Sequence, residues 1–226
     1  MKNACTAVVV AAGSARRMGG IDKAMTEIGG VPMLLRTVRA MAKSQQISGV
    51  TVVTREDLLD RVTALCADEP KFLGAVAGGS SRAESVLRGL NAVLTPLVAI
   101  HDGARPLVTV PVIDAAVEAA ERCGAAAPAI AVHDTIKIAK NGVVEQTPDR
   151  STLFAVQTPQ VFETSAIRKA LQAALKQALP LTDDCSAVEY AGLQVRLTPG
   201  SEENLKITVP SDLVLAEAIL QGRDDL

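Results

Sequence analysis

Aromatic residues are scarce in this sequence, which contains three Phe, one Tyr and no Trp among 226 residues. The hydrophobic core must therefore be built from aliphatic side chains. Short valine-rich runs alternate with segments rich in Ala and Leu, a pattern typical of parallel strands that are covered by helices. A chain of this length fits a single α/β domain. The sequence therefore predicts an α/β fold in which a mostly parallel sheet lies between two layers of helices.

Several elements can be given bounds from the sequence. Strands are predicted at 5–10, about 72–77 and 193–197, and a short extended piece at 204–208. A helix is predicted at 110–123, ended by Gly124, and another helix after Thr182, which is a plausible N-cap.

Residues that support cysteine or histidine chemistry are few. The four cysteines are far apart and form no C-x-x-C motif, which favours free thiols in a reducing compartment over disulfides or a zinc site. The two histidines have no evident Ser or Cys partner. We therefore expect a cytoplasmic protein whose own residues hold no metal ion.

Long apolar runs and a strong charge of one sign are also missing. No segment is long and apolar enough to span a bilayer, and the apolar run after Lys2 continues into a basic loop rather than a signal-peptide cleavage region. The net charge is −2, with both signs interspersed. We expect neither a membrane nor a nucleic acid as a partner.

The stretch Val8–Lys23, with the sequence VVVAAGSARRMGGIDK, carries the first chemical signal. Its apolar run ends in a loop of small residues that is followed by Arg16, Arg17 and Lys23. Small residues let backbone N–H groups approach a ligand and the cations supply charge, so the loop is expected to bind a polyanion such as a nucleoside triphosphate. The loop is neither a Walker A motif nor a G-x-G-x-x-G fingerprint, because the required glycines and lysine are missing. We expect Arg16 to brace the loop rather than to contact the ligand.

Two further loops follow predicted strands. In Gly78–Ser85, Ser81 and Glu84 form an S-x-x-E pattern, which indicates a capped helix start, a ligand loop or both. The segment His101–Pro106 places Asp102 and Arg105 after a strand, where open α/β sheets bind ligands. A local ion pair between these two residues is the alternative, and His101 is expected to be a packed, neutral imidazole.

A hairpin signal interrupts the α/β pattern. Alternating residues flank Asn141-Gly142, the preferred two-residue turn. A hairpin without a crossover helix should project, so we predict one domain of residues 1–226 with a β-arm at about 133–158. The apolar face of the arm (Ile136, Ile138 and Val143) must be buried, which predicts a homodimer formed through the arm.

Six motifs occur in a fixed order: AAG-x-x-x-R-M, GG-x-x-R-x-x-S-V, HD-x-AR-P, DR followed by TPQ-x-F, TDD-x-S-x-x-E, and N-x-K-x-T-x-P. Each motif alone is weak, but the ordered set spans nearly the whole chain. It resembles the 2-C-methyl-D-erythritol 4-phosphate cytidylyltransferases of the non-mevalonate isoprenoid pathway. The resemblance implies a Rossmann-like nucleotidyltransferase domain that transfers CMP from CTP to a polyol phosphate and releases pyrophosphate.

The resemblance also implies roles for individual residues. Four cations are expected to be catalytic: Arg17, Lys23, Arg150 and Lys206. The nucleotide would be bound by Ala11, Ala12, Gly13, Gly79, Ser80, Ser85 and Gly103. The acceptor would be bound by Asp102, Arg105, Thr158 and Thr182, with Arg150 and Thr158 reaching it across the dimer interface.

Three positions depart from the family pattern. Ala15 stands where a second loop glycine is usual, and Asp22 stands where a proline usually precedes the active-site lysine, here Lys23. Gly103 replaces a common alanine, an exchange that we expect to be harmless.

The implied reaction agrees with the shortage of histidine. A phosphate monoester has a second pKa of about 6, so the nucleophile is largely dianionic at pH 7 and needs no general base. Catalysis would then consist of positioning and charge stabilisation, with Mg²⁺ held mainly by the CTP phosphates.

Two rival functions remain open. A cytidylyltransferase for another polyol phosphate, such as ribitol 5-phosphate, would differ only in the acceptor pocket. A non-catalytic nucleotide-binding regulatory dimer would retain the fold without turnover. At the level of single residues, Arg150 could pair with a surface carboxylate such as Asp149, and Lys206 could be a solvated lysine on an edge strand.

Overall fold

The computed structural model describes residues 5–13 and 23–223. Within these ranges the chain forms one eight-stranded sheet and two small two-stranded hairpins. The strands are β1 (Cys5–Val10), β2 (Glu27–Ile28), β3 (Val31–Pro32), β4 (Ile47–Thr54), β5 (Phe72–Ala77), β6 (Leu97–Asp102), β7 (Ala125–Ala131), β8 (Ile138–Lys140), β9 (Val143–Gln146), β10 (Phe154–Val156), β11 (Gln160–Glu163) and β12 (Arg196–Pro199). The helices are α1 (Met33–Lys43), α2 (Leu59–Cys66), α3 (Arg82–Leu90), α4 (Val110–Cys123), α5 (Thr164–Lys176), α6 (Asp184–Tyr190) and α7 (Pro210–Gln221).

The large sheet is mostly parallel, as the sequence predicts. Its strand order is β10-β7-β11-β6-β1-β4-β5, and β12 pairs with β7. Strands β6, β1, β4 and β5 are parallel neighbours, so their carboxyl ends meet at one edge. Strand β11 runs antiparallel between β6 and β7, and β10 is antiparallel to β7. The sequence pattern does not reveal β11, because four residues are too short a run to show a period.

Aliphatic side chains fill both faces of the sheet. On one face, alternate residues of β1 pack with α1, α2 and α4. On the other face, Val8, Val53 and Ile100 pack with α3, α5 and α6. Phe162 is the largest fully buried side chain, and it lies in this second cluster. The sheet therefore lies between two helical layers, which confirms the predicted three-layer arrangement.

Capping residues explain where several helices begin and end. Helix α4 ends at Gly124, whose φ of 82° is the left-handed conformation predicted for a glycine after a helix. Ser81 caps α3 by accepting a hydrogen bond from the N–H of Glu84. For α6, however, the prediction of Thr182 as the cap is wrong. Asp183 accepts from the N–H of Ser186 instead, because its carboxylate reaches the first turn of the helix.

Two predictions near the C-terminal end also need correction. A strand expected at 193–197 begins later, as β12, in register with residues 126–129 of β7. The segment 204–208, expected to be extended, is an irregular segment between β12 and α7. The side chain of Asn204 fixes it by donating to Oε1 of Gln157 and to the carbonyl of Thr158.

The hairpin of β8 and β9 has the geometry that the sequence predicts. Asn141 (φ 50°) and Gly142 (φ 80°) are both in the left-handed region, as a two-residue turn of this type requires. All residues of both strands are exposed. The helices of the described ranges include none that is long and apolar enough to cross a membrane.

Replacing Gly89 by Ala tests how closely α3 packs on the sheet. A Cβ at this position would lie 2.6 Å from Cγ1 of Val8 and 2.7 Å from Cγ2 of Val53. Overpacking should cost about 1–3 kcal/mol, against ~1 kcal/mol that Ala gains over Gly inside a helix. We expect a lower free energy of unfolding in urea.

Gly222→Ala is the matched control, because a Cβ there would meet only ordinary contacts at 3.6 Å and 3.7 Å. Its φ of −80° suits any residue, so the substitution should be neutral or slightly stabilising. Equal effects of the two substitutions would contradict the packing described here.

Candidate functional site

A cavity of about 480 Å³ lies at the carboxyl edge of the sheet. Three segments that leave neighbouring strands are tied together there by backbone hydrogen bonds. The N–H of Ala11 donates to the carbonyl of Val53 (2.7 Å), and the N–H of Gly103 donates to the carbonyl of Val10 (2.9 Å). The site is therefore built on the ends of rigid strands.

Most of the predicted site residues line this cavity. They are Ala11, Ala12, Gly13, Gly79, Ser80, Ser85, Asp102, Gly103 and Lys206. The structure adds to its walls Val10, Ala24, Met33, Ser81, Arg82, Ala104, Ile207 and Thr208. The segment after β12 thus lines the same cavity as the loop that follows β1.

Glycines let the loops of the site approach one another. A Cβ on Gly103 would lie 2.9 Å from the Cβ of Ala11 and 3.1 Å from the carbonyl oxygen of Val10. A Cβ on Gly78 would overlap the Cβ of Ala12. In this chain, Gly103 therefore belongs to a close contact between two loops, and restoring the family's alanine would force one of them to move.

The Gly79 loop is organised by two side chains of α3. The hydroxyl of Ser85 accepts from the N–H of Gly79 (3.0 Å) and donates to the carbonyl of Ser81 (2.8 Å). The Glu84 carboxylate accepts from both the N–H (2.8 Å) and the hydroxyl (2.6 Å) of Ser80. These hydrogen bonds, together with Arg88, lower the pKa of Glu84 to about 2. Glu84 thus reaches past the capping residue and orders the loop that faces the cavity.

Asp102 is the centre of charge in the cavity. Its Oδ2 lies 2.8 Å from Nζ of Lys206, and its Oδ1 lies 3.3 Å from Nη2 of Arg82. Burial alone would raise the pKa of Asp102, but the cations Arg82 and Lys206 outweigh it and hold the pKa at about 2. The interpretation of Lys206 as a solvated edge-strand lysine is therefore wrong, because its ammonium pairs with a buried carboxylate.

Sequence reasoning missed Arg82 and Asp184. Nη1 of Arg82 lies 2.7 Å from Oδ2 of Asp184, a side chain that is fully buried at the start of α6. Burial lowers the pKa of Arg82, but Asp184 and Asp102 together raise it above its usual value. The motifs contain both residues, as the arginine of GG-x-x-R and the second aspartate of TDD. Nothing in the linear spacing shows that they meet.

Thr158 and His101 support the site from inside the protein. The N–H of Asp102 donates to Oγ1 of Thr158 (3.0 Å), and Oγ1 lies 2.9 Å from Nδ1 of His101. Nε2 of His101 lies 3.1 Å from the carbonyl of Arg105, which can only accept, so Nε2 carries the proton. Burial lowers the pKa of His101 to about 4. The expected packed, neutral imidazole is confirmed, and Thr158 contacts Asp102 rather than the cavity.

Arg105 also lies behind the cavity wall. Its Nη1 donates to the carbonyl of Asn204 (2.5 Å), whereas its Nε is 3.8 Å from Oδ2 of Asp102. Burial lowers its pKa. Arg105 therefore fixes the segment that carries Lys206. Its contact with Asp102, the local ion pair considered from sequence, is the longer of the two.

Two of the remaining predicted residues, Thr182 and Arg150, are not brought into the cavity. Thr182 lines a separate recess of about 220 Å³ beside Asp184. Arg150 is exposed on the arm and donates to the carbonyl of His133 (2.6 Å). Arg17 lies outside the described residues. Lys23 begins a short 3₁₀ helix, Lys23–Met25, and its side chain lies outside the description.

The donors of the cavity do not form a metal site of their own. In residues 5–13 and 23–223, no three His, Cys, Asp or Glu side chains are grouped to hold an ion. Asp102, the one carboxylate among the described residues of the cavity wall, already pairs with two cations. The described part of the cavity wall therefore offers a metal ion no ligand cluster of its own.

The pKa of His101 predicts a pH-dependent stability. The imidazole takes up a proton near pH 6.5 in the unfolded chain but only near pH 4 in the folded protein. The unfolded state therefore binds more protons between these values, so stability is full above pH 6.5 and falls as the pH approaches 4. The loss should reach about 3 kcal/mol, measured by urea unfolding from pH 7 to pH 4.

His101→Gln should remove this slope, whereas the matched variant His133→Gln should keep it. His133 is exposed on the arm side of the molecule, where its ring nitrogen meets Glu202. A slope that survives in His101→Gln would show that another group causes it.

Known proteins with similar sequences identify the family of this chain. The family described as 2-C-methyl-D-erythritol 4-phosphate cytidylyltransferase matches residues 5–222. The enzyme of that name from Geobacillus kaustophilus is 42% identical over 221 residues, which cover 96% of this chain and 97% of the relative. That from Syntrophotalea carbinolica is 41% identical over 225 residues, with 96% and 97% covered.

Solved structures of the same family are similar to this chain in fold as well. The 4-diphosphocytidyl-2C-methyl-D-erythritol synthase of Anaerococcus prevotii superposes with a TM-score of 0.88 at 28% identity, covering 97% of each chain. The cytidylyltransferase of Thermus thermophilus gives a TM-score of 0.77 at 35% identity, covering 95% of this chain and 98% of that one. The match extends from β1 to the end of α7, and the chain belongs to the 2-C-methyl-D-erythritol 4-phosphate cytidylyltransferase family.

Proposed function

We propose that this protein transfers CMP from CTP to 2-C-methyl-D-erythritol 4-phosphate, giving 4-diphosphocytidyl-2-C-methyl-D-erythritol and pyrophosphate. Family membership over residues 5–222 carries the proposal. The cavity supports it, because the small-residue loop that follows β1 and Lys206 both line one space of about 480 Å³. An oxygen of the acceptor phosphate would attack the α-phosphorus of CTP, and the bond to pyrophosphate would break.

The site fits a reaction without a general base. His101 is the histidine nearest to the cavity, and both of its ring nitrogens are engaged in hydrogen bonds inside the protein. The acceptor phosphate is largely dianionic at pH 7 and needs no proton removed. The chain would therefore contribute orientation and positive charge, chiefly through Lys206 and the predicted cations Arg17, Lys23 and Arg150.

We infer that Mg²⁺ accompanies CTP. Since Asp102 is occupied by Arg82 and Lys206, the phosphate oxygens of the nucleotide would supply most of the ligands. The ion would neutralise charge on the phosphates when it is bound. Free thiols at Cys5, Cys66, Cys123 and Cys185 support a reducing, cytoplasmic location.

We also propose a homodimer formed through the β-arm. Ile138, Val143 and Val144 of the hairpin expose 47%, 68% and 54% of their surface, and Phe154 of the neighbouring β10 exposes 49%. An apolar surface of this kind favours a protein partner. Arg150, which lies at the arm, would then reach the acceptor site of the other subunit.

Pyrophosphate release is the direct test of the function. We expect turnover with CTP and 2-C-methyl-D-erythritol 4-phosphate, and little with ATP, GTP or UTP. Lys206→Met should lower kcat by about 10²–10³ because it removes a positive charge from the site. Lys169→Met, on the exposed side of α5, is the control and should behave as the wild type. Preference for ribitol 5-phosphate, or CTP binding without turnover on any acceptor, would replace the proposal by the corresponding rival.

The dimer is tested by placing charge on the arm. The double variant Ile138→Asp, Val143→Asp should sediment as a monomer while the wild type sediments as a dimer, because two carboxylates cannot be buried in an apolar interface. The matched variant Leu94→Asp changes a residue that is 96% exposed beyond α3, and it should leave the dimer intact. A wild-type monomer would refute the arm interface.

A further inference from the structure

The two oxygens of the Asp102 carboxylate have cationic partners that are held in different ways. Lys206, on Oδ2, has a side chain that is 44% exposed and comes from the irregular segment before α7. Arg82 contacts Oδ1 through Nη2, and the Nη1 of the same guanidinium pairs with Asp184, whose side chain is 1% exposed. Arg82 is thus tied to a second carboxylate, whereas Lys206 reaches Asp102 from an exposed position on the cavity wall.

This arrangement poses a problem for a substrate phosphate. In the structure Lys206 is neutralised by Asp102, so it must leave the carboxylate before it can bind a phosphate. Without Arg82, the departure of Lys206 would leave the buried carboxylate with Arg105 alone, whose Nε is 3.8 Å from Oδ2, and a buried charge that loses its close partners is costly. Arg82 removes this cost because its guanidinium stays on Oδ1.

We propose that Arg82 is a positioning residue that keeps Asp102 ionised and in place while Lys206 passes from Asp102 to the phosphate of the acceptor. Asp184 is the anchor that holds Arg82 in position. The inference rests on the proposed function for the identity of the phosphate, whereas the contacts of Asp102 with Arg82 and Lys206 are those of the structure itself.

Hydrogen bonds at the start of α6 fix the position of Asp184. The N–H groups of Asp184 and Cys185 both donate to Oε1 of Gln160 (3.0 Å and 3.1 Å), and Asp183 caps the helix. Burial raises the pKa of Asp184, and Arg82 is the cation that opposes this rise. Arg82 and Asp184 therefore depend on each other, and together they connect β6, α3 and α6.

The test replaces Arg82 by Gln and by Lys. In Arg82→Gln, Asp102 should hold Lys206 more tightly, so the KM for the acceptor should rise about tenfold while the KM for CTP changes less than about twofold. Arg82→Lys retains the charge and should recover part of the loss. The control Arg168→Gln removes a guanidinium that bonds to the end of α3 away from the cavity, and its kinetics should match the wild type.

A second readout does not depend on turnover. In the described part of the chain, the charged and titratable groups around Asp102 are Arg82, Lys206, Arg105, His101 and Asp184. Carbon-13 NMR of labelled aspartate side chains should show the Asp102 titration at least about one pH unit higher in Arg82→Gln, and near its original position in Arg82→Lys. The NMR signal reports on Asp102 alone. A pH profile of activity would combine the titrations of Asp102 and His101.

Arg82→Gln leaves Asp184 buried without a cation and could prevent folding. The double variant Arg82→Gln, Asp184→Asn removes both charges and should fold while retaining the raised acceptor KM and the shifted Asp102 titration. A folded variant with an unchanged acceptor KM and an unshifted Asp102 signal would overturn the inference. Failure of the wild type to release pyrophosphate would instead reject the proposed function, and the NMR result would stand separately.

Discussion

The burial of one carboxylate organises this site. Asp102 ends a central strand where little water can reach it, and an ionised group in that position needs cations close by. Those cations come from α3 and from the segment before α7, and Arg82 requires a second buried acid at the start of α6. Four separate parts of the chain must therefore be in place before the charges balance. The electrostatic requirement of the site is thus also a constraint on the tertiary fold.

The antiparallel strand β11 brings these parts together. It lies beside β6, and Gln160 at its start accepts from two N–H groups of α6. Just before it, Gln157 bonds to the Ser201 backbone and to Asn204, which leads to Lys206. The short segment that connects the arm to the core therefore contacts both the anchor of Arg82 and the segment that carries Lys206. A change in the arm could reach the cavity by this route, since the residues are in direct contact.

Much of the fold follows from the sequence because local signals agree there. Strands β1 and β5 and helix α4 have the predicted bounds, since apolar runs, a helix-ending glycine and helical spacing all mark them. The cap of α6 was assigned wrongly because Thr182, Asp183 and Asp184 are all plausible cap residues, and only the folded backbone selects one. The partners of Asp102 could not be predicted either, because only the folded chain brings them together. The ion pairs join residues far apart in the chain, and a motif gives residue types without giving their contacts. By contrast, the sequence did predict where the site lies. Its motifs follow predicted strands, and nine of the assigned residues line one cavity at the carboxyl edge of the sheet.

The scarcity of aromatic residues has a practical consequence for experiments. The chain contains no Trp and a single Tyr, so its intrinsic fluorescence under tyrosine excitation comes from one position. That position is Tyr190, half exposed at the last residue of α6. The first residue of the same helix, Asp184, anchors Arg82 in the site. The emission of this protein therefore reports on one short helix whose other end is tied to the catalytic cavity, and a tryptophan introduced elsewhere would be observed against no background from others.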